Sequence, residues 1–193
     1  HNLLMGKRNN STLSFYKLII CFGVGQEDKV MNVQTLTDKE LLFGYKEVLL
    51  YYEQHVKLYP NGYALKRLQK YLDLQHIILE DNMKGLALQQ NFQQKPVSFF
   101  CFNRKKGHST LASLLYHLRN SFAHALVETT MIGNRPYYCF KDVYPKKQKA
   151  GQASMIGQIP KRAFKGFVQE LKANQNKLKS LAVSSTSKQT SKI

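Results

Sequence analysis

The sequence is poor in acidic residues and in cysteine, and each shortage argues against a class of protein. Twelve Asp and Glu stand against 29 Lys and Arg, so the formal net charge is +17. The three cysteines, Cys21, Cys101 and Cys139, are odd in number and lie far apart without any Cys-x-x-Cys spacing. This pattern argues against a disulfide scaffold and a zinc finger. We therefore expect reduced thiols, a cytoplasmic protein, and no metal or other cofactor.

The sequence also lacks a long apolar run. The segment FYKLIICFGVG at 15–25 is interrupted by Lys17, is too short to span a bilayer, and has no clean signal-peptide cleavage pattern after it. Met31 opens a polar segment, MNVQTLTDKELL, that is typical of a natural protein start. We interpret 1–30 as an N-terminal extension outside the core fold, such as a tag or upstream sequence. The alternative is a β-strand at 15–22 that packs on the body.

Positive charge is abundant, on a chain whose composition is otherwise that of a globular protein. The 193 residues, 43% of them hydrophobic, predict one compact domain, which we assign to 31–181. Residues 182–193, AVSSTSKQTSKI, have the composition of a disordered tail. Such a net charge attracts polyanions, and nucleic acid is the favoured partner. The alternatives are an acidic protein and an anionic membrane surface, although no membrane partner is expected.

The first half of the domain shows helical periodicity. Thr37 and Glu40 have the spacing of a capping box, which predicts that a helix over 35–59 starts there. A second helix is predicted at 63–83, with a buried neutral His76 on its apolar stripe, and a loop at 84–107. The predicted buried face of the first helix consists of Leu41, Leu42, Tyr45, Val48, Leu49, Tyr52 and Val56.

The second half adds a hairpin between two further helices. A third helix is predicted at 108–130, and a last helix at 161–181 after Pro160. Between them, extended runs at 134–144 and 154–160 predict a β-hairpin with a basic tip. The predicted fold is therefore mainly α, a helical bundle with a small β-hairpin before the last helix. The buried residues expected of the last helix are Phe164, Phe167, Val168 and Leu171.

The third helix contains LLYHLRNSFAHALV at 114–127, which is unusually rich in ionisable residues. On a helix its polar side chains share one face, opposite a leucine stripe. Arg119 lies about 140° from His124 around the axis, so only a long side chain, a distorted helix or a second copy would bring it close. The residues of the shared polar face are His117, Asn120, Ser121 and His124.

The segment RNSFAH at 119–124 resembles the signature of the HEPN superfamily, all-helical proteins many of which are metal-independent RNases. The order of elements over about 35–181 is similar, including a Phe-x-Asp segment at Phe140 and Asp142. Leu126 stands where that family often has Tyr. The resemblance implies a HEPN-like bundle and a homodimer that pairs two motif helices. It also implies a toxin or antiphage (abortive-infection) effector, restrained by an acidic antitoxin or a nucleotidyltransferase partner.

The chemistry implied by the resemblance is cleavage of RNA through its own ribose 2′-OH. Arg119 would stabilise charge on phosphorus, His124 would transfer a proton, and Asn120 would orient the phosphate or His124. DNA lacks the attacking hydroxyl and should survive. Further RNA contacts are expected from His117, Ser121, Lys141, Lys146, Lys147, Lys149, Lys161 and Arg162. The alternatives are a non-catalytic module that binds nucleic acid or a nucleotide, and the partner half of a toxin–antitoxin pair.

Overall fold

The computed structural model describes residues 33–85, 95–143 and 152–176. Three features predicted from the sequence lie outside these residues: the extension at 1–30, the tail at 182–193, and the lysines of the hairpin tip, Lys146, Lys147 and Lys149. The described helices are α1 (Asp38–Phe43), two π-helical segments (Gly44–Leu50 and Tyr52–Val56), α2 (Leu65–Leu74), a 3₁₀ turn (Met83–Gly85), α3 (Thr110–Ala123) and α4 (Lys161–Ala173). The strands are β1 (Ile77–Glu80), β2 (Ser98–Phe102), β3 (Val127–Ile132), β4 (Arg135–Val143) and β5 (Ala153–Pro160).

The strands form one five-stranded mixed sheet in the order β1-β2-β5-β4-β3. Only β1 and β2 are parallel, and the other neighbours are antiparallel. The prediction of a mainly α, all-helical bundle is therefore wrong, because the protein has an α/β fold. The predicted hairpin is confirmed: β4 and β5 pair directly, with Phe140 opposite Gly157.

The strands missed from the sequence are short and follow abrupt turns. The predicted helix at 63–83 ends at Leu74, and His76, with φ of 50°, turns the chain into β1. Ala125, with φ of 53°, likewise separates α3 from β3. His76 is exposed, so its predicted burial is wrong. Strand β2 lies within the predicted loop, and all five of its residues are buried, so its sequence has no alternation to reveal a strand.

The first helix begins where the capping residues predicted, since Glu40 Oε2 accepts a 2.8 Å hydrogen bond from the Thr37 backbone N–H. Its buried face is only partly as predicted. After Phe43 the helix becomes π-helical, with i→i+5 hydrogen bonds, so the inward positions recur every four residues. Those positions are Gly44, Val48, Tyr52 and Val56, whereas Leu41, Leu42 and Tyr45 are exposed.

Helix α3 lies between the sheet and the π-helical segments, in contact with β2 and β4. It buries nine of its 14 residues, so little of its surface faces solvent. Helix α4 packs on β4 and β5, and its four predicted core residues are all buried as expected. The ring of Phe167 stacks on that of Phe100 with centroids 5.2 Å apart.

None of the helices in the described ranges is both long and apolar enough to cross a membrane.

Candidate functional site

The polar face of the motif helix α3 points into the protein. His117, Asn120 and Ser121 are all buried, because strand β4 covers this face and places Asp142 against it. Ser121 donates a 2.9 Å hydrogen bond to the carbonyl of His117 one turn earlier. This bond satisfies the hydroxyl within the helix. Three of the four residues predicted to share an open polar face therefore meet the sheet.

His117 and Asp142 are joined by a short hydrogen bond in the interior. Nδ1 of His117 lies 2.7 Å from Asp142 Oδ2, and Nε2 lies 2.8 Å from the carbonyl oxygen of Asn103. The same carboxylate oxygen accepts a 3.1 Å hydrogen bond from Asn120 Nδ2. Both ring nitrogens of the imidazole thus have an oxygen partner within hydrogen-bond distance. The buried imidazole is therefore held in one orientation by the carboxylate on one side and a backbone carbonyl on the other.

Asn120 extends this pair outward to Arg119. Its Oδ1 accepts a 3.0 Å hydrogen bond from Arg119 Nη1, and the Nε and Nη2 of Arg119 donate to Glu53 Oε1 at 2.9 and 2.6 Å. Hydrogen bonds thus run without a break from the carbonyl of Asn103 to Glu53. A connected network of this kind, buried at one end, holds each member in one orientation.

Arg119 is the member of the network that reaches the surface, since 29% of its side chain is exposed. Three of the five N–H donors of its guanidinium form these hydrogen bonds, and the other two have no partner among the residues described. A hydrogen bond from Lys57, with those from Arg119, holds the pKa of the Glu53 carboxyl below its usual value. Glu53 is therefore ionised near neutral pH, and Arg119 is a charged, oriented donor that can take an anion.

His124 lies apart from this network. It is exposed and forms the C-cap of α3, where its backbone N–H donates to Asn120 O at 2.9 Å. In the described part of the chain no hydrogen bond or ion pair joins His124 to Arg119. The structure joins the side chains of Arg119 and Asn120. The imidazole of His124, the candidate for proton transfer, is not joined to Arg119 within the described part of one chain.

The predicted RNA-binding cations occupy several different surroundings. Lys141 on β4 is half-buried, and this burial lowers its pKa. Lys161 at the start of α4 is paired with Glu40 at 2.7 Å, and the neighbouring Arg162 is exposed. Of the predicted cations that lie among the described residues, Arg162 alone is both exposed and without an ion pair there.

Sequence reasoning missed Glu53 and Asn103, and it gave His108 no role. Glu53 stands 66 residues from Arg119, so no local pattern could have joined them. His108 Nε2 lies 3.4 Å from the hydroxyl of Tyr52, and burial, followed by the charge of Lys105, lowers the pKa of His108. The Phe-x-Asp segment was the one signal available for Asp142.

Comparison with models of protein families, with curated proteins and with solved structures gives no match to this chain. The likeness to the HEPN superfamily therefore depends on the short motif at 119–124. Among the described residues, no three His, Cys, Asp or Glu side chains are grouped as a metal ion would need.

Proposed function

We propose that this protein is a metal-independent endoribonuclease that holds a phosphate of an RNA strand on Arg119. The observation that carries the proposal is the state of Arg119, which is fixed by Glu53 and Asn120 yet keeps two N–H donors and part of its surface open. Orienting an arginine before its ligand binds lowers the entropy cost of a bidentate contact with phosphate. The net charge of +17 would draw the strand to the protein.

The proposed reaction uses the ribose 2′-OH as the nucleophile. Its oxygen forms a bond to the adjacent phosphorus while the bond from phosphorus to the 5′-oxygen breaks, leaving a 2′,3′-cyclic phosphate and a 5′-hydroxyl. One proton leaves the 2′-OH and one joins the departing oxygen. Arg119 stabilises the negative charge at phosphorus, and an exposed imidazole such as His124 transfers the proton near neutral pH.

A second copy of the chain is part of this proposal. No hydrogen bond or ion pair joins Arg119 to His124 in the described part of one chain, so the proposed site takes the His124 of a partner protomer beside Arg119. A homodimer that pairs the C-terminal ends of two α3 helices would supply it. We further propose, from the resemblance of RNSFAH, that such a nuclease acts as a toxin or antiphage effector restrained by an acidic antitoxin or a nucleotidyltransferase.

The second candidate is an RNA-binding module that does not cleave. The separation of His124 from Arg119, and the burial of His117 and Asn120 against the sheet, favour this candidate. In that case Arg119 would contribute to the affinity for RNA and not to catalysis. The change His124→Ala would then have little effect on RNA binding.

The deciding experiment is incubation of the purified protein with mixed RNA in EDTA. Wild type should cleave and leave 2′,3′-cyclic phosphate ends, whereas Arg119→Ala and His124→Ala should lose about 10²-fold or more in rate. Matched controls are Arg67→Ala, which removes an exposed arginine from α2, and His76→Asn, which removes an exposed histidine at a left-handed position. Circular dichroism verifies that every variant is folded.

The outcomes separate the two candidates. Cleavage by wild type and both controls, with loss in the two motif variants and no attack on the matching DNA, supports the nuclease. Binding of RNA without cleavage, weakened by Arg119→Ala but not by His124→Ala, overturns the catalytic assignment in favour of the binding module. Equal loss in motif and control variants would overturn both.

A further inference from the structure

A cavity of about 200 Å³ lies between α1, β4 and the beginning of α4. Three lysines line it, Lys39, Lys161 and Lys165. Lys39 and Lys165 are exposed at its mouth, whereas Lys161 is half-buried. The cavity is separate from Arg119 and its partners, and it contains most of the positive charge at the start of α4.

Glu40 is the one carboxylate in the cavity lining, and all of its acceptor sites are occupied. Oε1 accepts from Lys161 Nζ and from the Tyr138 hydroxyl, each at 2.7 Å. Oε2 accepts from the backbone N–H and the hydroxyl of Thr37, each at 2.8 Å. Burial alone would raise the pKa of Glu40, but these hydrogen bonds outweigh it and lower the pKa to about 2.

Among the described residues, Lys39 and Lys165 therefore line the cavity without an ion-paired carboxylate. Glu40 neutralises Lys161 and has no acceptor site left for a second cation, and neither exposed lysine is ion-paired within the described ranges. Three lysines and one carboxylate leave a charge of +2 around the cavity. A cavity with such a charge favours an anion.

Aromatic rings form the apolar part of the same cavity. The ring of Phe164 lies 6.0 Å from that of Phe43 and 5.4 Å from that of Tyr138. Phe164 also lies 6.2 Å from Phe122, which belongs to the last turn of α3, between Arg119 and His124 in the sequence. An aromatic wall beside two free cations suits a ligand that is both planar and negatively charged.

We propose that this cavity is a subsite for one nucleotide of the RNA strand. The base packs against Phe43, and its phosphate binds between Lys39 and Lys165. The inference rests on the proposed function, in which RNA is the ligand of Arg119, and it adds a contact beyond the motif helix. The ligand chemistry, a nucleoside phosphate, also occurs in free nucleotides, so the test must separate the two sources.

The test measures binding of a fluorescent single-stranded RNA by anisotropy at several salt concentrations. The strand carries 2′-O-methyl groups, so it lacks the nucleophile and stays intact. The double variant Lys39→Gln/Lys165→Gln is compared with Lys66→Gln/Lys70→Gln, which removes two exposed lysines from α2. The cavity variant should bind the RNA about tenfold more weakly than wild type. The slope of log K against log salt concentration should become shallower by about 1.4. The α2 control should lose about twofold or less in affinity.

Two further measurements identify the ligand. Phe43→Leu keeps an apolar side chain but removes the aromatic face, and it should weaken RNA binding about threefold or more. Unchanged affinity would overturn the assignment of a base to this cavity.

In the second measurement, adenosine monophosphate is titrated into wild type and the cavity variant. Loss of its binding with no extra loss of RNA binding would assign the cavity to a free nucleotide and overturn the RNA subsite.

The failure of this inference differs from the failure of the proposed function. If Arg119→Ala weakens RNA binding while the cavity variant behaves like its α2 control, only the subsite is overturned. If wild type binds no RNA at all, the proposed function falls and the subsite with it.

Discussion

Asp142 and Glu53 each hold a side chain of the motif helix, but in different surroundings. Asp142 is 4% exposed and binds His117, whereas Glu53 is 29% exposed and binds Arg119. In the interior, removing one partner leaves a buried polar group without a hydrogen bond, whereas near the surface water takes the place of the lost partner. The same kind of pairing therefore fixes the helix at one end of the network and orients a cation at the other.

The largest expected effect on stability is at Asp142, at the buried end of the hydrogen-bond network. Asp142→Ala leaves the imidazole of His117 and the amide of Asn120 without their buried hydrogen-bond partner, so the free energy of unfolding should fall by about 3–5 kcal/mol. Urea denaturation measures the change. The control Asp73→Ala removes an exposed carboxylate on α2 and should change stability by about 0.5 kcal/mol or less. Equal losses of stability in the two variants would contradict the predicted difference between buried and exposed carboxylates.

A second variant tests how tightly the surface end of α3 is packed. A Cβ at Gly44 would overlap the ring of Phe122, which packs against Phe140 and Phe164, so the ring would have to leave these contacts. Gly44→Ala should therefore destabilise the protein by about 1–3 kcal/mol in thermal or urea denaturation. Gly166→Ala is the control, because its nearest neighbour is the movable Tyr71 hydroxyl at 3.3 Å, and its helix should gain up to about 1 kcal/mol. Stabilisation by both changes would show that Phe122 is loosely held.

The third prediction concerns Glu40, whose pKa the hydrogen bonds of the folded protein lower to about 2. Because folding lowers this pKa from 4.5 to about 2, the stability that Glu40 contributes is present above pH 4.5 and is lost as the pH falls toward 2. Glu40→Gln preserves a capping side chain but cannot titrate. Wild type should lose on the order of 1–2 kcal/mol more than this variant over that interval. Parallel curves from acid-dependent urea denaturation would contradict the prediction.

The smallest effect on stability is expected at the surface end of the network. Glu53→Ala should lower the free energy of unfolding by less than about 1 kcal/mol, since the pair with Arg119 is partly exposed. It also releases Arg119, so RNA cleavage should fall by about tenfold or more. Lys57→Ala, which removes the other cation on Glu53, is the control and should leave the cleavage rate nearly unchanged. Full activity in Glu53→Ala would contradict an orienting role.

Local features of the fold were predictable from the sequence, and the sheet was not. The helix start at Thr37 and Glu40 depends on residues three apart, and the β4–β5 hairpin depends on two extended runs near each other. The parallel pair of β1 and β2 has no such signal. Strand β2 is buried on both sides, so its apolar run is indistinguishable from other buried segments.

Only the residues that α3 contributes to the candidate site were predictable from the sequence, and their arrangement was not. The polar spacing of α3 correctly grouped His117 with Asn120, yet it could not show that β4 would cover them. Asp142 lies 25 residues from His117, and Glu53 lies 66 residues from Arg119. Partners at such separations are set by tertiary packing, which a periodic pattern in one helix does not contain.

The polar network also decides how α3 is rotated about its own axis. Nine of its 14 residues are buried, so apolar burial alone would tolerate more than one rotational setting. A turn by one residue, about 100°, would replace His117 with Leu118 opposite Asp142 and leave the carboxylate buried without a donor. The cost of that mismatch selects one setting, and this setting is what directs Arg119 toward the surface and Leu118 into the core.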